Sequence, residues 1–308
     1  MELETVIYQK KDFIAKIIIN RPQARNALNL QLMEELSWTL EEAGRDNAIG
    51  VVVVTGSGDK IFCPGLDLPW AKELFTKTPE VWNMVERYTR IIYNLRHMGK
   101  PVIAGVNGLA AGGGCEIVIH CDLAIAAEHA RFMQGEGGVG AVATFATQSL
   151  APVIGDKRAR WFLFTDEVID AKTALEWGLI NKVVPYQELD AEVDKLCQVI
   201  LDKSPWSLRF TKAQANVWFD LVAHTFYEGA CFWTLQSTTP ESLEGISAFL
   251  DKRAPDHLKM RQEAAAGKAV EYLWGPPIKT CPNCGTKNLP GEFNFCGKCG
   301  AELSPGNP

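Results

Sequence analysis

The chain has 308 residues, 47% of them hydrophobic and 22% charged, which suits one large globular domain with room for a small appendage. A formal net charge of −6 argues against the basic face of a general nucleic-acid binder, while a few local cations could still hold an anionic small ligand. The opening MELETVIYQKKDF lacks the layout of an export signal and no apolar run nears membrane-spanning length, so a cytoplasmic protein without a membrane partner is expected.

Residues 5–20 (TVIYQKKDFIAKIIIN) read as two strands around a polar turn at Lys10 to Asp12, ended by Asn20-Arg21-Pro22. From Ala27 the apolar residues take helical spacing and close at Gly44, and VVVVTGSG (51–58) is a buried strand running into a loop. In the next loop, IFCPGLDLPW (61–70), Gly65 permits a backbone angle that could turn the Leu66 N–H toward a ligand. Residues 71–98 are predicted helical, with Trp82, Val85, Tyr88, Ile91, Ile92 and Leu95 on one stripe that reads as core packing.

The stretch from Lys100 to Ala130 carries the densest pattern in the chain. A buried strand, Pro101 to Val106, leads to Gly112-Gly113-Gly114 at the mouth of a helix, then Glu116, then a second buried run from Leu123 to Ala127. Glycines there let the backbone approach a ligand and offer it free N–H groups, and Glu116 falls in the first helical turn beside them. Donors and a carboxylate at one point are the parts of a proton-transfer site next to a polarised carbonyl. A second glycine-rich loop, Phe132 to Gly140, holds Glu136, which on local spacing alone is either functional or a solvated loop residue. Helices are then expected over 141–164 and 171–178, a strand over 182–185, an amphipathic helix stopped by Ser204-Pro205, and helical patterns on to about 252. A further helix over 259–270 and a Gly-Pro-Pro linker at 272–278 follow. Alternating strands and helices predict an α/β layer with ligands gathered at the strand ends.

Of nine cysteines, Cys63, Cys115, Cys121, Cys197 and Cys231 are scattered and read as buried thiols. Cys281, Cys284, Cys296 and Cys299 form CPNC…CGKC, two knuckles separated by eleven residues. The pattern resembles a zinc-ribbon: four thiolates close a tetrahedral site, so the expected zinc is structural, with a redox dithiol as the alternative. About 25 residues cannot build much of a core without such a staple.

NRPQARNALN (20–29), FCPGLDL (62–68), KPVIAGVNGLAAGGGCE (100–116), CDLAIAAEHARFMQGE (121–136) and EGISAFLDKRAPDH (244–257) together resemble the enoyl-CoA hydratase/isomerase (crotonase) superfamily. The resemblance covers roughly residues 3–257 and implies a ββα spiral core with a C-terminal helical region, assembled as a homotrimer or dimer of trimers. The implied domains are 1–258 for acyl-CoA chemistry, 259–278 as helix and linker, and 279–303 as the ribbon. The implied substrate is an acyl-CoA, with no catalytic cofactor beyond its CoA moiety. Leu66 and Gly113 match the two oxyanion-hole N–H donors, and Glu116 and Glu136 match the catalytic glutamates of true hydratases. Arg25, Asn26 and Ala27 match the segment lining CoA, Gly65, Asp67 and Leu68 flank the first donor, and Phe249 and Lys252 match the C-terminal contribution to the CoA site.

The loop Val142 to Gln148 departs from the family's Pro/Gly-rich stretch, with Thr144 standing where a loop glycine is usual. That bulkier wall favours a cyclic or dienoyl acyl group. The expected activity is enoyl-CoA hydration. The alternatives are a superfamily isomerase or ring-cleaving hydrolase and, from another class, an oligomeric scaffold whose ribbon recruits a protein or nucleic acid.

Overall fold

The computed structural model describes residues 2–75, 77–267, 278–287, 289–290 and 293–303. Strand β1 (Val6–Lys11) pairs antiparallel with β2 (Ile14–Ile19), and the reversal falls on Asp12 and Phe13, both at positive φ. Helix α1 (Leu30–Arg45) starts where the Asn29 side chain accepts the Leu32 N–H, three residues later than the apolar spacing alone suggests.

Three turns of a spiral follow, each a strand, a short strand and a helical region. The first is β3 (Val51–Gly56), β4 (Ile61–Cys63), α2 (Leu68–Leu74) and α3 (Thr78–His97). The second is β5 (Val102–Val106), β6 (Leu109–Ala111) and α4 (Gly113–His120). The third is β7 (Leu123–Ala127), β8 (Arg131–Met133), α5 (Thr144–Ile154) and α6 (Asp156–Thr165). The long strands join one sheet, in the order β1-β2-β3-β5-β7 and then β10 (Lys182–Val184), parallel from β2 onward. The short strands join a second, β4-β6-β8 in parallel with β9 (Ile169–Asp170) antiparallel on its edge. Sequence periodicity shows no strand at β4, β6 or β8, since three residues each are too few to leave a pattern.

The long sheet is covered on both faces, which explains its uninterrupted apolar runs. Val52, Val54, Ala104 and Ala126 face the main core, whereas Val51, Val53, Ile103 and Ile125 face Val193, Cys197 and Ile200 of helix α8 (Leu189–Leu201). Helix α7 (Ala171–Trp177) ends on Gly178 at φ 83°. The helical region is α9 (Pro205–Ala215), α10 (Val217–Ser237), α11 (Pro240–Leu250) and α12 (His257–Ala265). Ser204-Pro205 stops α8 by starting α9, with Ser204 as its cap. The span 71–98 is two helices rather than one, because the chain breaks between Leu74 and Thr78. Residues 268–277, which hold most of the expected linker, lie outside the described residues. The cysteine block carries β11 (Ile278–Lys279) paired with β12 (Leu289–Pro290), and a bridge joins Phe295 to Glu302. Among the described residues no helix is long and apolar enough to cross a membrane.

Candidate active site

The spiral stacks equivalent loops side by side. Each loop leaves a short parallel strand for a helix, and β4, β6 and β8 are neighbours, so residues 64–67, Gly112 and 134–143 meet at one end of the small sheet. This is the strand end where ligands gather in parallel α/β layers. A cavity of about 260 Å³ opens there, lined among others by Gly65, Leu66, Leu68, Tyr88, Gly113, Glu116, Glu136, Thr144, Trp233 and Phe249.

Two residues that line it, Leu66 and Gly113, have backbone N–H groups left outside the local strand bridge and helix. Leu28 receives Asp67 N–H at 2.9 Å and donates to the Gly65 carbonyl at 2.8 Å, a parallel bridge that turns the intervening Leu66 N–H away from Leu28. Gly113 is the first residue of α4, so its N–H has no intrahelical acceptor. Gly65 has φ 89°, and a Cβ on it would lie 3.1 Å from Gly113 N, which is how closely the two donor segments pack.

Glu116 is 4% exposed, and its Oε1 accepts from Phe145 N at 3.0 Å and Ala146 N at 2.9 Å. Ala143, the residue before α5, has no side chain able to cap that helix, so a carboxylate from α4 does it instead. Burial nevertheless pushes the Glu116 acid up from its ordinary range, outweighing these donors. Glu136 sits on the glycine loop, with the Ala141 N–H closing a turn onto its carbonyl at 2.7 Å. The buried Gln134, with its amide oriented so that both groups are satisfied, donates to Glu136 Oε2 at 3.0 Å. Burial, and then the negative charge of Glu116, pushes the Glu136 acid up as well. Gly112 has φ 49°, and a Cβ there would stand 3.0 Å from Glu136 Oε1, so only glycine leaves that carboxylate its place. Two carboxylates sharing one desolvated cavity disfavour double ionisation, so the pair retains a proton to higher pH than free carboxylates do.

Thr144, 4% exposed, begins α5 and stands on the cavity wall, as does Phe249 of α11. Other residues matched to the CoA site do not line the cavity. Asn26 is buried and used locally: its amide nitrogen donates to the Ser57 and Ile61 carbonyls and its oxygen accepts from Arg21 N. Ala27 is buried and gives its carbonyl to Arg21, while Arg25 is exposed at φ 54°. Asp67 caps α2 and pairs with Arg21 at 2.6 Å. Lys252 is exposed just past α11, at φ 54°. Conversely, Tyr88 belongs to the site as well as to the core: its hydroxyl donates to the Gly113 carbonyl at 2.5 Å. Helical spacing could show only that Tyr88 points inward. Gln134 lies within CDLAIAAEHARFMQGE, but nothing in that motif's spacing signals its bond to Glu136.

At the other end of the chain, the sulfurs of Cys281, Cys284, Cys296 and Cys299 lie within 4.8 Å of one another. Cys281 and Cys299 approach to 3.5 Å, and Cys284 and Cys296 to 3.6 Å. A tetrahedral zinc with bonds of about 2.3 Å requires sulfurs about 3.8 Å apart, so the donor set fits. The knuckles are built alike: Gly285 and Gly300 donate back to Cys281 and Cys296, and both glycines have positive φ.

This arrangement of stacked ββα turns around a carboxylate-bearing pocket places the chain in the spiral α/β class. The chain belongs to the enoyl-CoA hydratase/isomerase family, the crotonase superfamily, whose profile matches residues 9–260. A second profile, described as a domain of unknown function (DUF7577), matches residues 280–304. The chain is 38% identical over 263 residues to a crotonyl-CoA hydratase of Syntrophomonas wolfei, covering 82% of this chain and 97% of that protein. It is 35% identical to a short-chain-enoyl-CoA hydratase of Clostridium acetobutylicum, covering 85% and 100% respectively. Among solved structures, a carnitinyl-CoA hydratase from Mycobacterium avium is 32% identical with a TM-score of 0.72, covering 82% of this chain and 97% of that one.

Proposed function

We propose that the protein is an enoyl-CoA hydratase, adding water across the C2=C3 bond of an α,β-unsaturated acyl-CoA. The observation that carries this reading is the convergence of Glu116, Glu136 and the peptide donors of Leu66 and Gly113 on one cavity. The two N–H groups would hold the thioester oxygen and stabilise the enolate that develops as water attacks. Water would give its oxygen to C3 as the C=C electron pair moves into the thioester, and C2 then takes a proton. One carboxyl of the pair would orient and deprotonate the water while the other delivers the proton, so that only the elements of water are added. The relatives named above as crotonyl-CoA and short-chain-enoyl-CoA hydratases support a short acyl chain. Thr144 narrowing the wall supports a test of cyclic and dienoyl groups beside it.

Arg25 and Lys252 would meet the polar CoA moiety from the exposed surface, with Asn26, Ala27 and Asp67 shaping the segments beside it. Phe164 on α6, Trp206 and Phe210 on α9 and Phe232 on α10 are each more than half exposed, which supports assembly into a trimer or dimer of trimers. The four thiolates would hold one structural zinc, with no coordination position left for substrate. Such a reduced thiolate site, with four further buried cysteines, supports a cytoplasmic setting.

The deciding experiment follows loss of the conjugated enoyl-thioester absorbance with crotonyl-CoA and with a cyclic dienoyl-CoA, with mass spectrometry of the products. A product heavier by one water with its thioester intact is expected. Glu116→Gln and Glu136→Gln should each lower kcat by roughly 10²–10⁴-fold. A shifted double bond without added water, or a ring-opened acid, would instead assign the isomerase or hydrolase chemistry.

A further inference from the structure

His120 is wholly buried on α4, one helical turn past Glu116, and Ser149 is buried on α5, one turn past Phe145. The imidazole joins the two helices. Its Nδ1 lies 2.7 Å from the Glu116 carbonyl oxygen, and its Nε2 lies 2.9 Å from Ser149 Oγ. A carbonyl only accepts, so Nδ1 is assigned the proton; Nε2, left without one, accepts from the serine hydroxyl. Packing fixes the plane of the ring. Phe145 and Phe219 of α10 meet it edge-on, with centroids 6.5 and 5.7 Å away and interplanar angles of 86° and 81°. On the preceding residue, the Ile119 carbonyl accepts from Arg96 of α3 at 2.8 Å.

Helices α4 and α5 are thus tied at two successive turns. At the first, Glu116 Oε1 accepts from the Phe145 and Ala146 N–H groups at 3.0 and 2.9 Å. At the second, one turn further along both helices, His120 accepts from Ser149. The two ties differ in kind. The first is made by the reactive group, and its hydrogen bonds weaken whenever the carboxyl takes up a proton. The second carries no charge. Burial, and then the positive charge of Arg96, pushes His120 down to about 3, so the ring stays neutral and keeps one tautomer at neutral pH.

We propose that His120 and Ser149 are positioning residues for Glu116, forming a neutral tie that holds α5 in register on α4 while the carboxyl exchanges its proton. The inference rests on the reading of Glu116 as a hydration catalyst. During turnover that carboxyl would alternate between its ionised and protonated forms. Each change alters its grip on the Phe145 and Ala146 N–H groups, and a tie insensitive to the proton keeps the helix spacing constant. The constraint acts on the glutamate itself, because His120 Nδ1 bonds the carbonyl of the residue that bears the carboxyl. Constant spacing matters, since a misplacement of about 1 Å can cost roughly 100-fold in rate. Neither His120 nor Ser149 falls inside the motifs that carry the family resemblance.

Ser149→Ala removes only the hydroxyl and leaves the cavity wall intact. It should lower kcat about 10-fold with KM within about twofold, the split expected of a group acting through Glu116. Solid-state 15N NMR of histidine-labelled protein should show His120 protonated at Nδ1, with the Nε2 signal moving downfield once the serine donor is gone. In a Glu116→Gln background, Ser149→Ala should lower the residual turnover no further, whereas a residue needed for packing alone would lower both backgrounds alike. Wild-type kcat in Ser149→Ala, equal losses in the two backgrounds, or a proton on Nε2 would overturn the inference and leave the hydratase reading standing. Full hydration by Glu116→Gln would instead remove the reading on which it rests.

Discussion

At the scale of single residues, the site is held together by groups that the folded state would be more stable without. Glu116 and Glu136 are desolvated and close enough to repel, and burial raises both acids above their ordinary range. The folded state therefore binds more protons than the unfolded chain between the ordinary carboxylate range and the raised one. Stability must fall as pH rises through that window, the reverse of a salt-bridged carboxylate. Glu136→Gln should then raise Tm at pH 8 by roughly 2–4 °C, the shift expected for about 1 kcal/mol in a domain of this size, while lowering kcat by roughly 10²–10⁴-fold. At pH 5, where the wild-type pair already carries its protons, the gain should vanish; thermal melts at the two pH values check it. Asp166 adds a further constraint. It sits at φ 52°, with its carboxylate against Gly137 and Gly138, and its charge also raises the Glu136 acid.

At the scale of elements, the glycine loop that carries Glu136 is fixed by α11, an element with no part in the spiral. Ser242, wholly buried on α11, has its Oγ 2.5 Å from the Gly140 carbonyl and accepts from Gln236 Nε2 at 2.8 Å. A Cβ on Gly245, one turn further on, would clash with the Val139 backbone at 2.3 Å. Ser242→Ala should cost about 1–3 kcal/mol by stranding two half-buried polar groups, and it should lower kcat by loosening the loop. Denaturant melts and turnover measured on one preparation would show both; a lowered midpoint with unchanged kcat would show that the loop needs no such support. The elements also show what sequence could convey. VVVVTG and PVIAGV read as strands because both faces of the long sheet are buried, and the three glycines marked the start of α4. The short sheet left no signal, since β4, β6 and β8 are three residues each, and with it went the reason why the loops carrying Leu66, Gly113 and Glu136 stack. The glycines marked the Leu66 and Gly113 loops as facing a ligand, while the roles of those residues and of Glu136 were legible only through the family's motifs. Asn26 was legible in the same way but is taken up with closing its own loop, a difference that motif matching does not reveal.

At the scale of the whole molecule, two cores of very different size are stabilised by different means. The enzyme core packs large side chains such as Phe62, Phe132 and Phe162 out of contact with water entirely. In the cysteine block the buried set is Cys281, Cys296 and Leu303, with Cys284, Leu289 and Ala301 packed against it. So small a cluster cannot offset the backbone entropy of ordering its own chain, roughly 1–2 kcal/mol per residue, a deficit that metal–thiolate bonds at the proposed zinc site would meet. The two parts should therefore respond independently. A strong chelator should release about one zinc per chain and expose four thiols to a thiol reagent, while hydration continues unchanged. Deleting residues 279–308 should likewise leave kcat/KM within about twofold, because among the described residues no side chain of that segment lines the cavity and the proposed hydration chemistry needs no metal. If the truncated protein lost kcat while keeping its oligomeric state, measured by light scattering beside the assay, the ribbon would have to support the active site. Unchanged turnover with loss of a bound protein partner would assign the ribbon to recruitment, placing the hydratase rather than altering what it does.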